Sequence, residues 1–373
     1  MTSKTIKIGG LVTVLAVLGL LALFLEFSSD KKGPATETLA RVLTVDNEAV
    51  QSAGPGHIGH QSLTVRLIQG PFEGRDVPAA NLLTGRSDME TLFQVGDKII
   101  VSLILKDGEI QQVHAVDLHR QGSLIFLFCL FGLCLILFAR TVGIKALISF
   151  ALTLGIIWEI LVPRILAGDP PLLVTGLTLA LLSAIIIFLV AGFTRRGLTA
   201  FLGTLSGLGI TLVLVSLAGS RTGLAGMTQP FVNALIFSGH YDLDIRAIFY
   251  AAVVLGASGA AMDVAVDIAA SMDEIRAKRP DISPRDLVTS GFTVGRQVMG
   301  TMTTTLLLAY SGGYLTLLLF FQAQHPSTLR ILNLKIVAAE ILRTLVGSMG
   351  LVMVAPITAI LGGIILTRNR NKN

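Results

Sequence analysis

The chain has 373 residues, of which 52% are hydrophobic and only 14% charged, with a mean hydropathy of +0.75. Soluble domains carry about 25% charged residues, so this composition excludes an ordinary soluble globular protein and is that of a membrane protein. The net charge of +5 is no nucleic-acid signature, because the basic residues stand in short loops between apolar runs, where they set topology.

In chain order, Ile8–Leu25 comes first, preceded by Lys4 and Lys7. It has the look of a signal peptide, but the EFSSDKKG that follows holds neither an A-x-A cleavage site nor a lipid-modified cysteine motif, so residues 1–25 are read as an uncleaved anchor. Residues 38–120 change character. TLARVLTV, QSLTVRLI, DKIIVSLIL and EIQQVHAVDL alternate apolar and polar residues, and GPGHIG, QGPFEGR and LKDGE separate them as turns. This predicts a small all-β domain of about five strands, barrel-like if its edges close. His57 and His60 have no third His and no Cys nearby, which favours a solvated loop over a metal site. The domain's ligand is left open among a peptide, a wall component and a protein partner.

Residues 122–367 predict a seven-helix transmembrane domain. A hydrocarbon core of about 30 Å needs roughly 20 apolar residues of helix. The runs are Gly122–Ala139, Ala146–Val162, Leu172–Phe193, Leu198–Gly219, Ala247–Asp267, Val298–Phe321 and Thr344–Leu366. With the anchor they make about eight spans. The fold class is thus a polytopic α-helical membrane protein with a small, barrel-like, extracytoplasmic all-β domain. Cys129 and Cys134 are five apart on one run, do not share a helix face, and are expected as free, buried thiols. Lys4, Lys7, Arg140, Lys145, Arg195, Arg196 and the basic stretch Arg276–Arg296 fall on one side of the spans, and fewer cations on the other. That bias puts both termini in the cytoplasm and residues 26–121 outside.

The sixth run ends on Asp263 and Asp267, four apart and so on one helix face, which Gly256 and Ala260 continue. An ionisable group in a bilayer costs about 2.5–3.5 kcal/mol on insertion scales, so it has a partner or a purpose. One reading is a cation- or proton-handling pair. The other is an interfacial pair that snorkels or bridges to Arg296, with Asp263 facing Arg296. The seventh run follows Arg296 with Thr301, Thr303, Thr304 and Thr305, then Tyr310-Ser311-Gly312-Gly313. The threonines either bond back to their own helix or line a polar cavity, in a helix interrupted near the two glycines; either way the polar face is expected to turn inward. Glu340 with Arg343, and Glu159 with Arg164, read as interfacial ion pairs, and Pro356 is expected to kink the last span.

Enzyme chemistry finds no support. Gly256-Ala257-Ser258-Gly259 matches the short motif around the serine of rhomboid intramembrane proteases, but that serine needs a histidine base from another helix. His57, His60, His114, His119, His240 and His325 all lie outside the spans, and no HExxH, GxGD or nucleotide-binding P-loop motif occurs. No metal or cofactor is expected.

Three segments carry a resemblance: MDVAVDIAASMDEI; DLVTSGFTVGRQVMGTMTTTLLLAYSGG; and GPFEGR, NLLTG and FQVGDKIIV taken together. They resemble the YibE/F family of prokaryotic membrane proteins, over residues 40–365. The resemblance implies a multi-spanning protein of the prokaryotic plasma membrane with an N-terminal extracytoplasmic β-domain, and it supplies no activity. Two functions remain in play. One is a permease for a small solute or ion, using a polar site between spans six and seven formed by Asp263, Asp267, Arg296, Thr301, Thr303 and Thr304. The other is a non-transporting scaffold whose outer domain binds a partner. The expected partners are the lipid bilayer, the solute or ion, and a protein partner or second copy, with no nucleic acid.

Overall fold

A computed structural model describes residues 35–86 and 90–367. The anchor read in residues 1–25 lies outside the described residues. The chain divides at Arg140 into two compact units.

The first unit contains β1 (Ala35–Asp46), β2 (Val50–Ala53), β3 (Gly56–Leu67), β4 (Asp76–Thr84), β5 (Lys98–Lys106) and β6 (Glu109–Leu118). β1 pairs with both β5 and β3, so the order β1-β3-β4-β6-β5 closes on itself and β2 is added to β3 as a hairpin. Every pairing is antiparallel except β4 with β6. This five-stranded Greek-key barrel has the connectivity of an OB-fold. The alternation in sequence is the alternation in space: Leu63, Val65 and Leu67 of β3 and Ile99, Val101 and Leu103 of β5 point into one core. His57 and His60 lie in β3 instead of in the expected loop. The LKDGE turn passes through Asp107 (φ 53°) and Gly108 (φ 82°), the pair of positive angles a tight hairpin needs.

A buried polar ladder ties the β4–β5 connection to the barrel. Gln61 is fully buried; its Nε2 donates to Asn47 Oδ1 and to the Phe93 carbonyl, both at 2.9 Å. Its Oε1 accepts from Phe93 N and from Asn81 Nδ2, both at 3.1 Å. Phe93 itself fills the core. At the other end of the connection, the Glu90 carboxylate accepts from the backbone N–H groups of Thr84, Gly85 and Arg86. A hydrogen bond from the Thr84 hydroxyl does most to hold the Glu90 carboxyl below the usual range.

α1 (Gln121–Ile156) leaves the barrel and is broken at Arg140, where φ is 50° and ψ is −121°. Gln121–Arg140 alone is about 30 Å long at ~1.5 Å per residue. Most of its side chains are exposed, Cys129 and Cys134 among them; both thiols are free, but the described residues do not bury them as expected.

In the second unit α1 runs on through a π turn, Ile157–Leu161, into α2 (Val162–Leu166). Val162 N–H bonds to the Ile157 carbonyl; Pro163 has no N–H for the Glu159 carbonyl, which accounts for the irregular turn. Arg164 pairs with Asp169 at 3.0 Å and not with Glu159. There follow α3 (Pro171–Ala191), α4 (Arg195–Thr222), the short α5 (Val232–Phe237), α6 (Ile245–Lys278), α7 (Pro284–Gly313), α8 (Leu315–Gln324), α9 (Thr328–Asn333) and α10 (Lys335–Thr367). Among the described residues, five helical stretches are long and apolar enough to cross a membrane, or six if α7 and α8 count as one span bent by 70°. α10 continues as one helix through Pro356.

α4, α6 and α10 pack on one another, with α3 and α7 against them. Glycines set how closely they approach. Gly203 and Gly207 of α4 receive Thr358 and Val354 of α10, and Gly350 of α10 receives Thr211 of α4. Gly203-x-x-x-Gly207 is the small-residue spacing that lets membrane helices meet backbone to backbone.

Candidate functional site on the α6–α7 hairpin

α6 starts where the Asp244 carboxylate caps Ala247 N at 2.9 Å, and it ends on Arg276 and Lys278, cations that suit a helix C-terminus. α7 starts at Ser283, whose hydroxyl accepts from Asp286 N at 3.1 Å, with Pro284 just inside the helix. The two helices run antiparallel. Gly291 lies against Met272, Gly295 against Ile268, and Gly256 against the Tyr310 hydroxyl. Carried along the hairpin, this register sets Arg296 level with Asp267 and Gly300 level with Asp263.

The six residues expected to form the polar site are therefore close together along two neighbouring helices, but their direction is not the expected one. Asp263, Asp267, Arg296, Thr301, Thr303 and Thr304 are all exposed. Leu287, Gly291, Gly295 and Leu306 take the packed side of α7, and Ala257, Ala261, Val264, Ala265 and Ile268 that of α6. With 3.6 residues per turn, the polar positions fall on the opposite side. The polar face turns away from the bundle's own core.

Asp263 does not bridge to Arg296, because the register sets Arg296 beside Asp267 and no ion pair forms between Asp263 and Arg296. Thr301 donates to the Val298 carbonyl at 3.2 Å and Thr303 to that of Met299 at 3.0 Å. These hydroxyls spend their protons on their own helix and keep acceptor lone pairs for whatever lies outside. Nothing lies within 4 Å of a Cβ built on Gly259 or Gly300, so the face also carries two unfilled hollows.

A second polar cluster is the one the sequence reads as an interfacial ion pair. Glu340 and Arg343 do pair, at 3.3 Å, but each side chain is only 15% exposed. Arg343 Nη2 donates to Gln229 Oε1 at 2.6 Å, and the guanidinium carbon lies 6.0 Å from the centre of the Phe249 ring. The α7–α8 break falls at Tyr314, directly after Gly312 and Gly313, where an interruption was expected. In its crook is a cavity of about 310 Å³ lined by Tyr310, Tyr314, Glu340 and apolar side chains of α7 to α10. Gln229 is 114 residues from Arg343, and no local signal in the sequence joins the two.

Among the described residues no three His, Cys, Asp or Glu side chains are grouped as metal ligands. The family model described as "YibE/F-like protein" matches residues 127–368, which covers the whole α6–α7 hairpin. No curated protein and no solved structure matches the chain.

Proposed function

The chain belongs to the YibE/F-like protein family, and from the site we propose that it is a membrane permease for a small solute or ion. The observation that carries the reading is the α6–α7 face: two carboxylates, a guanidinium and three threonine hydroxyls on neighbouring helices, all exposed. Bare against lipid tails, each charge costs about 2.5–3.5 kcal/mol, whereas a hydrated passage solvates it. In this reading Asp263 meets the cation or the cationic group of the solute, and Thr301 and Thr304 replace part of its water shell. The test is flux into liposomes holding the purified protein, with a panel of inorganic cations and amino acids. Asp263→Asn keeps the shape and removes the charge. Uptake of at least one solute that Asp263→Asn abolishes supports the reading; no uptake by the wild type of any solute in the panel counts against it.

The proposed orientation has both termini in the cytoplasm and the barrel outside the plasma membrane. It rests on the cations Arg276, Lys278, Arg279 and Arg285 around the α6–α7 connection. The proposed count of eight spans takes Arg140 as the break between two spans and adds the anchor. A cysteine at Glu109, exposed on the barrel, should react with an impermeant reagent in intact cells. Reaction only after permeabilisation reverses the orientation.

A scaffold is the second reading, favoured by one feature of the barrel. Leu82 of β4, 65% exposed, pairs with His60 of β3 and is two residues beyond the Ala80–His114 bridge to β6. Val116 of β6, also exposed, continues that row. A barrel fold does not itself imply a ligand. Loss of partner capture on Leu82→Glu, with flux absent throughout, favours the scaffold.

A further inference from the structure

Inside the bundle, glycines on packed faces hold a neighbour's side chain: Gly203 holds Thr358, Gly350 holds Thr211, Gly363 holds Val288. On the α6–α7 face the same element is present without its counterpart. Gly259 and Gly300 are open, beside charges that have no ion-pair partner among the described residues. The face has both signs of charge at one depth, since Arg296 is level with Asp267 by the register of Gly291 on Met272 and Gly295 on Ile268.

We propose that a second copy of this chain covers the face, α6 of each copy lying against α7 of the other. A twofold axis along the membrane normal leaves every residue at its own depth. Asp267 of one copy then meets Arg296 of its partner, and the reverse pair forms across the axis. Asp263 of each copy comes opposite Gly300 and the Thr301 and Thr304 hydroxyls of the other, where small residues let the backbones close in. An α6-on-α6 arrangement would instead oppose like carboxylates, which selects the crossed pairing. The permeation path, which rests on the transport reading, is then a passage between two copies, and one copy alone has only half of its wall.

The experiment reads assembly and leaves flux aside. The full chain, with Cys129 and Cys134 replaced by serine, is given one cysteine at a time and oxidised in native membranes. Chains carrying Gly259→Cys, produced together with chains carrying Thr304→Cys, should crosslink to a dimer, because the crossed pairing sets Gly259 of one copy opposite Thr304 of the other; Leu177→Cys, on an exposed part of α3 (65%), should not crosslink. Native mass measurement of the wild type released from nanodiscs should give twice the chain mass. Asp267→Arg should lower the dimer fraction by about tenfold or more through like-charge repulsion, and adding Arg296→Asp should recover it. A wild type of single-chain mass overturns the proposal, as does crosslinking at Leu177 equal to that between Gly259 and Thr304, or a double variant with no recovery. If Asp267→Arg fails to fold, the wild-type mass and the cysteine series still decide. Dimers that carry no solute sink the transport reading alone; transport by single-chain particles sinks the dimer alone.

Discussion

The α4–α10 seam and the α6–α7 face are built from the same materials and have opposite fates. Both offer glycines and threonines at helical spacing. In the seam each hollow is filled: Thr358 and Val354 enter at Gly203 and Gly207, and Thr211 returns the contact at Gly350. On the face the hollows at Gly259 and Gly300 are empty and the charges have no ion-pair partner among the described residues. A filled glycine marks where the chain completes its own fold. An empty one beside unpaired charge marks a side that the described helices leave uncovered.

The largest expected effect contrasts two arginines. Arg343 is nearly enclosed and bonded to Glu340 and Gln229; Arg296 is exposed. Arg343→Met should destabilise the folded protein by about 3–5 kcal/mol, because it leaves the mostly buried Glu340 charge without its cation. Arg296→Gln should leave folding stability unchanged while lowering the dimer fraction. Unfolding in mixed micelles measures the first and native mass the second. Equal losses of stability for the two variants would erase the contrast between a completed and an open side.

Next come the seam glycines. A Cβ on Gly207 would collide with Val354, and one on Gly350 with Thr211. Gly207→Ala and Gly350→Ala should each cost about 1–3 kcal/mol through overpacking, read by the same unfolding assay. Pairing Gly350→Ala with Thr211→Ala, which removes the obstructing hydroxyl and methyl, should restore part of the loss. No restoration would mean that the seam is looser than its geometry.

How much of this was legible in the sequence follows the same division. Period-two alternation placed β1, β3, β5 and β6, since a half-buried strand writes its faces into its sequence. It missed β4, where Pro78 and two alanines, Ala79 and Ala80, blur the pattern. The Gln61–Asn81 ladder and the Gln229–Arg343 bond stayed hidden because each joins residues far apart in the chain. The polar residues of α6 and α7 were found, and their common face with them. The direction of that face was not, for a physical reason: helical period tells which residues share a side, but in a membrane helix apolar residues face lipid and core alike. Asp263 and Arg296 were matched by counting residues, whereas the register depends on which glycine meets which side chain, as Gly295 meets Ile268.

The smallest expected effect separates the two glycine classes most directly, because it should have two signs. Gly259 and Gly300 lie in the middle of long helices with room for a methyl group. Within one chain, Gly259→Ala and Gly300→Ala remove backbone entropy from the unfolded state and clash with nothing, so each should raise stability by about 0.5–1 kcal/mol. Between two chains the same methyl stands where the partner's α7 or α6 must approach, so the dimer fraction should fall. Measured at low protein concentration, where single chains dominate, both variants should unfold later than the wild type. Measured at high concentration, where the wild type is dimeric, that advantage should vanish or reverse. A gain in stability that is the same at every concentration would mean that no second chain closes on these helices, and that the open hollows face lipid.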